Sequence, residues 1–401
     1  MNNLNAFFSK SQKENFIAEL QQNILPFWMT NMPDLQQGGF IGRISGDGVS
    51  YQNAPKGAIL HARILWTFSS AYRIFKDPQY LKTADRAKDF LLSKFWDIEN
   101  GGIFWQLASD GTPLDTKKQI YALGFAIYGL SEYARATGDE EALAKAKELY
   151  YVIEQHSFDK EKNGYFEAFT KDWNELEDMR LSDKDANEKK TMNTHLHILE
   201  PYANLYRVWP STELKASLRN LLSLFLNTIL DNETGHLQLF FDENWICKSK
   251  MTSYGHDIEA LWLMYEAATV IGDADLIEQV KRAVPLIAEA SKEGLQLDGS
   301  LIYEKDEVTA HVDADRHWWV QAESVVGFSY ASVITGQKEY AQIAENCWQF
   351  IQHNLVDKAQ GEWFWSIKAD GSVNRIDDKA GFWKCPYHNG RMCMEMIELL
   401  Q

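Results

Sequence analysis

His256 and Glu259 lie three residues apart in Ser253-Tyr-Gly-His-Asp-Ile-Glu-Ala-Leu-Trp262, a stretch that runs on into apolar Leu-Met-Tyr-Glu-Ala-Ala. On a helix this spacing puts an imidazole and a carboxylate on one face, one turn apart. Gly255 marks the entry, where a sharp turn is expected. Asn193-Thr-His-Leu-His197 opens another such run, with Asn193 and His197 four apart on one face. His195 points to another side and reads as a structural histidine. Trp319 and Glu323 share a face at the start of a third run, with Trp318 less well placed, and His388 opens the last. Arg63 and Tyr121 lead two more. Imidazoles titrate near neutrality, so they can take a proton and return it within one cycle. Arg63 and helix N-termini suit a developing oxyanion. Abstraction of a proton alpha to a carbonyl needs both, and a ring-opened aldose offers such a proton at C2, giving an enediolate.

Metal chemistry is less well supported. There is no HExxH, no cysteine pair with zinc spacing and no dinucleotide fingerprint, so neither a metal nor a cofactor is expected. Cys247, Cys347, Cys385 and Cys393 form no CxxC, which suggests free thiols in the cytoplasm. Forty basic against 57 acidic side chains give a net charge of −17, which argues against nucleic acid or an anionic membrane as partner. No apolar run approaches the ~20 residues that span a bilayer. The N-terminal Met-Asn-Asn-Leu-Asn-Ala-Phe-Phe-Ser-Lys does not read as a signal peptide.

Apolar and amphipathic helical segments alternate along the chain. The apolar ones fall at 57–75, 117–136, 193–208, 255–271, 317–335 and 388–400. The amphipathic ones fall at 4–29, 78–96, 139–156, 211–230, 273–292 and 338–354. Helices apolar nearly all round are buried, whereas amphipathic ones face water; in the first of these, Glu14 and Glu19 are assigned to the wet side. Alternation with a period of roughly sixty residues is a repeat signature. It predicts an all-α fold in a single domain over 1–401, an (α/α)6 barrel with six inner and six outer helices. Inner helices running the same way would gather their N-terminal residues at one mouth, walled by short β-hairpins such as 236–246, 295–304 and 361–373. The charged segment 170–191 reads as a loop, solvated or lying over that mouth. The 14 Trp and 17 Tyr fill the core or stack on sugar rings.

Thr191–His197, Ser253–Glu259, Trp318–Glu323 and Trp383–Arg391, taken together, resemble the cellobiose 2-epimerase branch of the N-acylglucosamine 2-epimerase superfamily. The resemblance covers essentially the whole chain. Tyr-Gly-His-Asp-Ile-Glu at His256, where relatives acting on monosaccharides carry Pro-Gly-His, favours the disaccharide branch. The resemblance implies cofactor-independent epimerisation at C2 of the reducing glucose of a β-1,4-linked disaccharide. It implies His388 and His256 as the acid/base pair, Arg63 and His197 at the open-chain oxygens, and Glu259 as the group orienting His256. Glu323 would bond substrate or a histidine. Trp319 and Trp383 would stack on the sugars, with Trp262 shaping the pocket and Tyr121, Asp185 and Asn193 contacting hydroxyls. Three alternatives stay open: an aldose–ketose isomerase; a glycoside hydrolase drawing on Asp257, Glu259, Asp313, Asp315 and Glu323; and a binding module without chemistry.

Overall fold

A computed structural model describes residue 8 and residues 10–400. The chain opens with α1 (Lys10–Ala18) and α2 (Leu25–Asn31), joined through a π-helical stretch at Glu19–Ile24. Five pairs of helices follow: α3 (Ala58–Phe75) with α4 (Pro78–Phe90), α5 (Ile120–Thr137) with α6 (Glu140–His156), α7 (Met192–Val208) with α8 (Thr212–Leu224), α9 (Tyr254–Ile271) with α10 (Ala274–Ser291), and α11 (Trp318–Thr335) with α12 (Lys338–Phe350). The last helix is α13 (Tyr387–Leu399). Of the first expected helix, 4–29, residues 4–7 and 9 lie outside the described residues.

The odd-numbered helices from α3 to α13 form a closed ring, in which α13 packs against both α11 and α3. Each of the first five leans outward on its amphipathic successor, and α13 leans on α1, so the two ends of the chain make the sixth pair. The result is the expected (α/α)6 barrel. Inner helices are buried along most of their length because they are apolar all round. Four of the outer helices start where Asp77, Asp139, Ser211 or Asp273 accepts from a backbone N–H of the first turn, satisfying a group that the helix leaves unpaired. Glu19 departs from its expected wet position: it turns inward and accepts from Trp363 Nε1 at 2.7 Å. No helix among the described residues is long and apolar enough to cross a membrane.

The expected local hairpins are present as single antiparallel bridges, Leu295 with Leu301 and Ile367 with Val373, and pairing between repeats is added to them. The segment leading into each of five inner helices pairs antiparallel with a strand of the following repeat. Lys118–Gln119 pairs with Ala168–Phe169, for example, and Lys190–Thr191 with Phe240–Phe241. Ile44 bridges Ala380 in the same sense and closes the circle. A second repeated device sits beneath these strands. Lys56, Lys118, Lys190 and Lys379 are buried and bond Asp34, Asp97, Asp159 and Asp357, the first three at 2.7–2.8 Å. The other oxygen of each Asp accepts backbone N–H groups two and three residues on, which shapes a tight turn. The lysine therefore anchors the strand that aims the next inner helix.

Breaking a buried pair strands a charge, which costs ~3–5 kcal/mol. Lys118→Met is expected to lower the denaturant midpoint substantially, while exposed Lys171→Met, whose partner Glu99 is also exposed, leaves it near wild type. Equal midpoints for the two variants would remove the structural role assigned to the buried pairs.

Candidate active site

All six inner helices contribute to one cavity of about 300 Å³, within the ~300–1,000 Å³ common for small-molecule sites. Arg63 comes from α3, Tyr121 from α5, Asn193 and His197 from α7, His256 and Glu259 from α9, Trp318 and Trp319 from α11, and His388 from α13. All fall within the first six residues of their helices, as expected if the inner N-termini share one mouth. Leu181, Ser182, Lys184 and Asp185 of the charged segment line it too, so that segment lies at the mouth. Asp185 accepts from Ser182 N and Oγ, both at 2.9 Å. Trp383 and Trp365 complete the wall with Tyr303 and His317, whose rings stack at 4.1 Å.

Three of the four lining histidines stand on inner helices. Nδ1 of His388 bonds Glu323 Oε1 at 2.7 Å, and Nδ1 of His197 bonds Glu200 Oε2 at 3.0 Å. An ionised carboxylate can only accept, so each ring carries its proton on Nδ1 and keeps a lone pair on Nε2. His256 bonds Ser253 Oγ through Nδ1 at 2.7 Å. Burial holds all three imidazoles below their ordinary range: His256 falls to about 3, and His388, with Arg63 adding to the effect, falls well below. For His197, burial outweighs the opposing pull of Glu200. Trp319 packs its ring 4.7 Å from His256 and 5.6 Å from His388, placing an aromatic face between the two.

Arg63 is buried with no carboxylate partner among the described residues. It donates to Tyr121 Oη at 2.8 Å and to the Trp383 carbonyl at 3.4 Å, and its guanidinium lies 4.1 Å over the Phe125 ring. A buried cation without a counter-ion favours any anion that enters. The opposite end of the barrel is different. There, a cavity of about 400 Å³ holds Arg73 paired with Glu132 and Glu398, and Arg207 paired with Glu266. Charge at that end is internally matched.

A model of the N-acylglucosamine 2-epimerase family matches residues 39–390. The chain belongs to that family. A relative from Bacteroides fragilis named cellobiose 2-epimerase is 58% identical over 96% of this chain and 98% of its own length. One of the same name from Ruminococcus albus is 39% identical over 94% and 96%. Among solved structures, a cellobiose 2-epimerase from Bacillus thermoamylovorans superposes with a TM-score of 0.92 at 40% identity, covering 97% of this chain and 99% of its own. A D-mannose isomerase structure, at 20% identity and a TM-score of 0.84, shares the fold.

Within this family framework, several side chains sit differently from the reading of the sequence. Glu259 does not orient His256. Its Oε1 accepts from Arg391 at 2.6 Å, and Ser253 is the partner of His256. Glu323 and Trp262 stand behind the cavity wall: Glu323 bonds His388, and Trp262 donates to Glu323 at 3.1 Å. Gly255 lies inside α9 rather than at a turn. A Cβ there would meet the Trp319 ring at 2.7 Å, so the glycine permits that ring to reach His256. His195 is structural as expected, its Nε2 accepting from Tyr165 N at 2.9 Å.

Glu200 and Arg391 were not singled out in the sequence. Glu200 follows His197 at the spacing that drew attention to His256 and Glu259, so a signal was present. Pro201 follows it and cannot donate to the carbonyl of His197, where α7 is non-helical at φ −89°, ψ 15°. Gly124 of α5 packs against that freed carbonyl, which a Cβ would overlap. The kink thus turns His197 at the cavity wall. Arg391 was visible as the one arginine of α13, whose other full charges are Glu395 and Glu398.

The pH profile follows from the depressed histidines. A base whose proton affinity is lowered stays neutral to lower pH and is lost only as pH falls through the lowered value. The acidic limb of kcat/KM is therefore expected well below the ordinary 6.5 of a histidine. A limb centred at or above 6.5 would contradict the assignment of these imidazoles as neutral bases.

Proposed function

We propose that this chain epimerises the reducing-end glucose of β-1,4-linked disaccharides at C2, turning cellobiose into glucosyl-mannose and lactose into epilactose. One observation carries this reading: imidazoles on different inner helices face one cavity with Nε2 free, beside an Arg63 that lacks an anionic partner. The name shared by relatives at 39% and 58% identity supports the substrate. After ring opening, one of His256 and His388 removes the C2 proton. Arg63 and His197 hold the oxygens of the enediolate, and the other histidine delivers a proton to the opposite face. One fixed imidazole cannot reach both faces of a planar intermediate, so inversion calls for two. Trp319 and Trp383 stack on the sugars, and Tyr121, Asn193 and Asp185 bond hydroxyls. Burial and Glu323 push the Glu259 carboxyl up, against the pull of Arg391, and its Oε2 is buried without a hydrogen-bond partner.

No metal or cofactor enters this scheme. Glu259, Glu323 and His388 bring donor atoms within 4.8 Å of one another, but Arg391 Nη2 already occupies both carboxylates. The same ties work against Glu259 and Glu323 as a hydrolytic carboxylate pair. The four cysteines are free, which suits a reducing cytoplasm.

Feeding cellobiose and separating the products should give an isomer of equal mass. Run in D2O, the reaction should place deuterium at C2. Free glucose as the main product would mean a hydrolase, and a ketose would mean that the proton returns to C1. His388→Asn is expected to lower turnover by ~10²–10⁴-fold, the usual loss for a positioned acid or base. Activity should persist after exhaustive chelation. Loss that a single divalent metal restores would overturn the metal-free scheme.

A further inference from the structure

Arg391 on α13 has no exposed surface and no part in the scheme above. Its Nη2 donates to Glu259 Oε1 at 2.6 Å and to Glu323 Oε1 at 2.7 Å, while Nη1 bonds Glu200 and the Tyr387 hydroxyl. The guanidinium also lies 4.7 Å over the Trp262 ring. Two of the three carboxylates hold histidines: Glu200 carries His197 on α7, and Glu323 carries His388 on Arg391's own helix. Both imidazoles therefore depend on one planar fork. Lysine offers a point charge in place of that fork and cannot serve separate acceptors with the same geometry.

Burial works against an ionised Glu200, but Arg391 and His197 outweigh it and keep its carboxyl below the usual range. The charged and titratable groups facing His388 are Glu323 from α11, Glu259 from α9, His197 and Glu200 from α7, Arg63 from α3, and Tyr387 and Arg391 from its own helix; Tyr387 and, against His197, Tyr121 from α5 are neutral phenols. Arg391 is one of only two guanidiniums in that set, so its removal leaves the field at both histidines more negative. Their proton affinity then rises.

Resting on the proposed epimerisation, we propose that Arg391 is a positioning residue. It holds the carboxylates of Glu200 and Glu323 so that His197 and His388 both keep the proton on Nδ1 and present Nε2 to the sugar.

The test compares Arg391→Met and Arg391→Lys with wild type on cellobiose. Wild-type exchange at C2 in D2O is the control; its absence sinks the proposed function rather than the role of Arg391. Arg391→Met is expected to lose ~10²-fold in kcat, the scale of a displaced catalytic group, with KM changed far less. The acidic limb of its kcat/KM profile should move up by ~1 pH unit or more, as loss of a nearby charge implies. Arg391→Lys keeps the charge, so its limb should stay near wild type while kcat still falls. A merely structural arginine would lower the unfolding midpoint and leave the limb where it was; a folded Arg391→Met with an unmoved limb overturns the proposal. Should Arg391→Met not fold, Glu200→Gln and Glu323→Gln are combined in a double-mutant cycle. Residues sharing a partner couple, so the combined loss in kcat should differ from the product of the single losses by ~3-fold or more. Simple multiplication of the two losses would break the link through Arg391.

Discussion

One guanidinium sealed from water meets carboxylates from three neighbouring helices, and much of the barrel's interior is arranged to satisfy it. Arg391 ties α13 to α7, α9 and α11 through Glu200, Glu259 and Glu323. Removing any one partner from such a cluster leaves charge in a medium that cannot solvate it. The helices are thereby held at one relative height. Because the ring is closed, a shift of α13 along its axis would have to be shared with α11 and α3 on either side.

The same logic of buried polar groups runs around the barrel at the level of the backbone. Each Lys–Asp pair joins a tight turn to a strand leading into an inner helix, and pairing between successive repeats carries the constraint onward. These devices put the first turns of six helices at a common mouth. Their N-termini point dipoles there, and Arg63 adds a full charge that pairs with no carboxylate among the described residues. At the far end arginines and glutamates neutralise one another. The polarity of the barrel, open to an anion at one end and matched at the other, suits the enediolate proposed for the mouth.

Dry walls account for the state of the histidines. Burial penalises their charged form, and the carboxylates behind His197 and His388 fix the tautomer. Orientation comes from elsewhere. The Pro201 kink turns His197, and the absence of a side chain at Gly255 lets Trp319 settle against His256. Chemistry and packing are thus carried by different residues that sit close together in the chain.

The amino-acid order alone determined the helix alternation, the inner and outer assignment and the gathering of His197, His256, His388 and Arg63 at one mouth. These follow from periodicity and from spacing along one helix, which are local. Only the tertiary structure decided which carboxylate serves which imidazole. His256 and Glu259 share a face, and one turn of helix is short enough for them to meet. Yet Arg391, 132 residues away, reaches Glu259 first, and His256 turns to Ser253. Pairing between repeats escaped the sequence for a related reason: the hairpins are local, but the strands leading into inner helices find partners in the next repeat. Lys56, Lys118 and Lys190 drew no notice in the sequence, because nothing near them in the chain announces the aspartates that take them in. Local spacing says which groups can meet, whereas competition among all the groups brought close by folding settles which do.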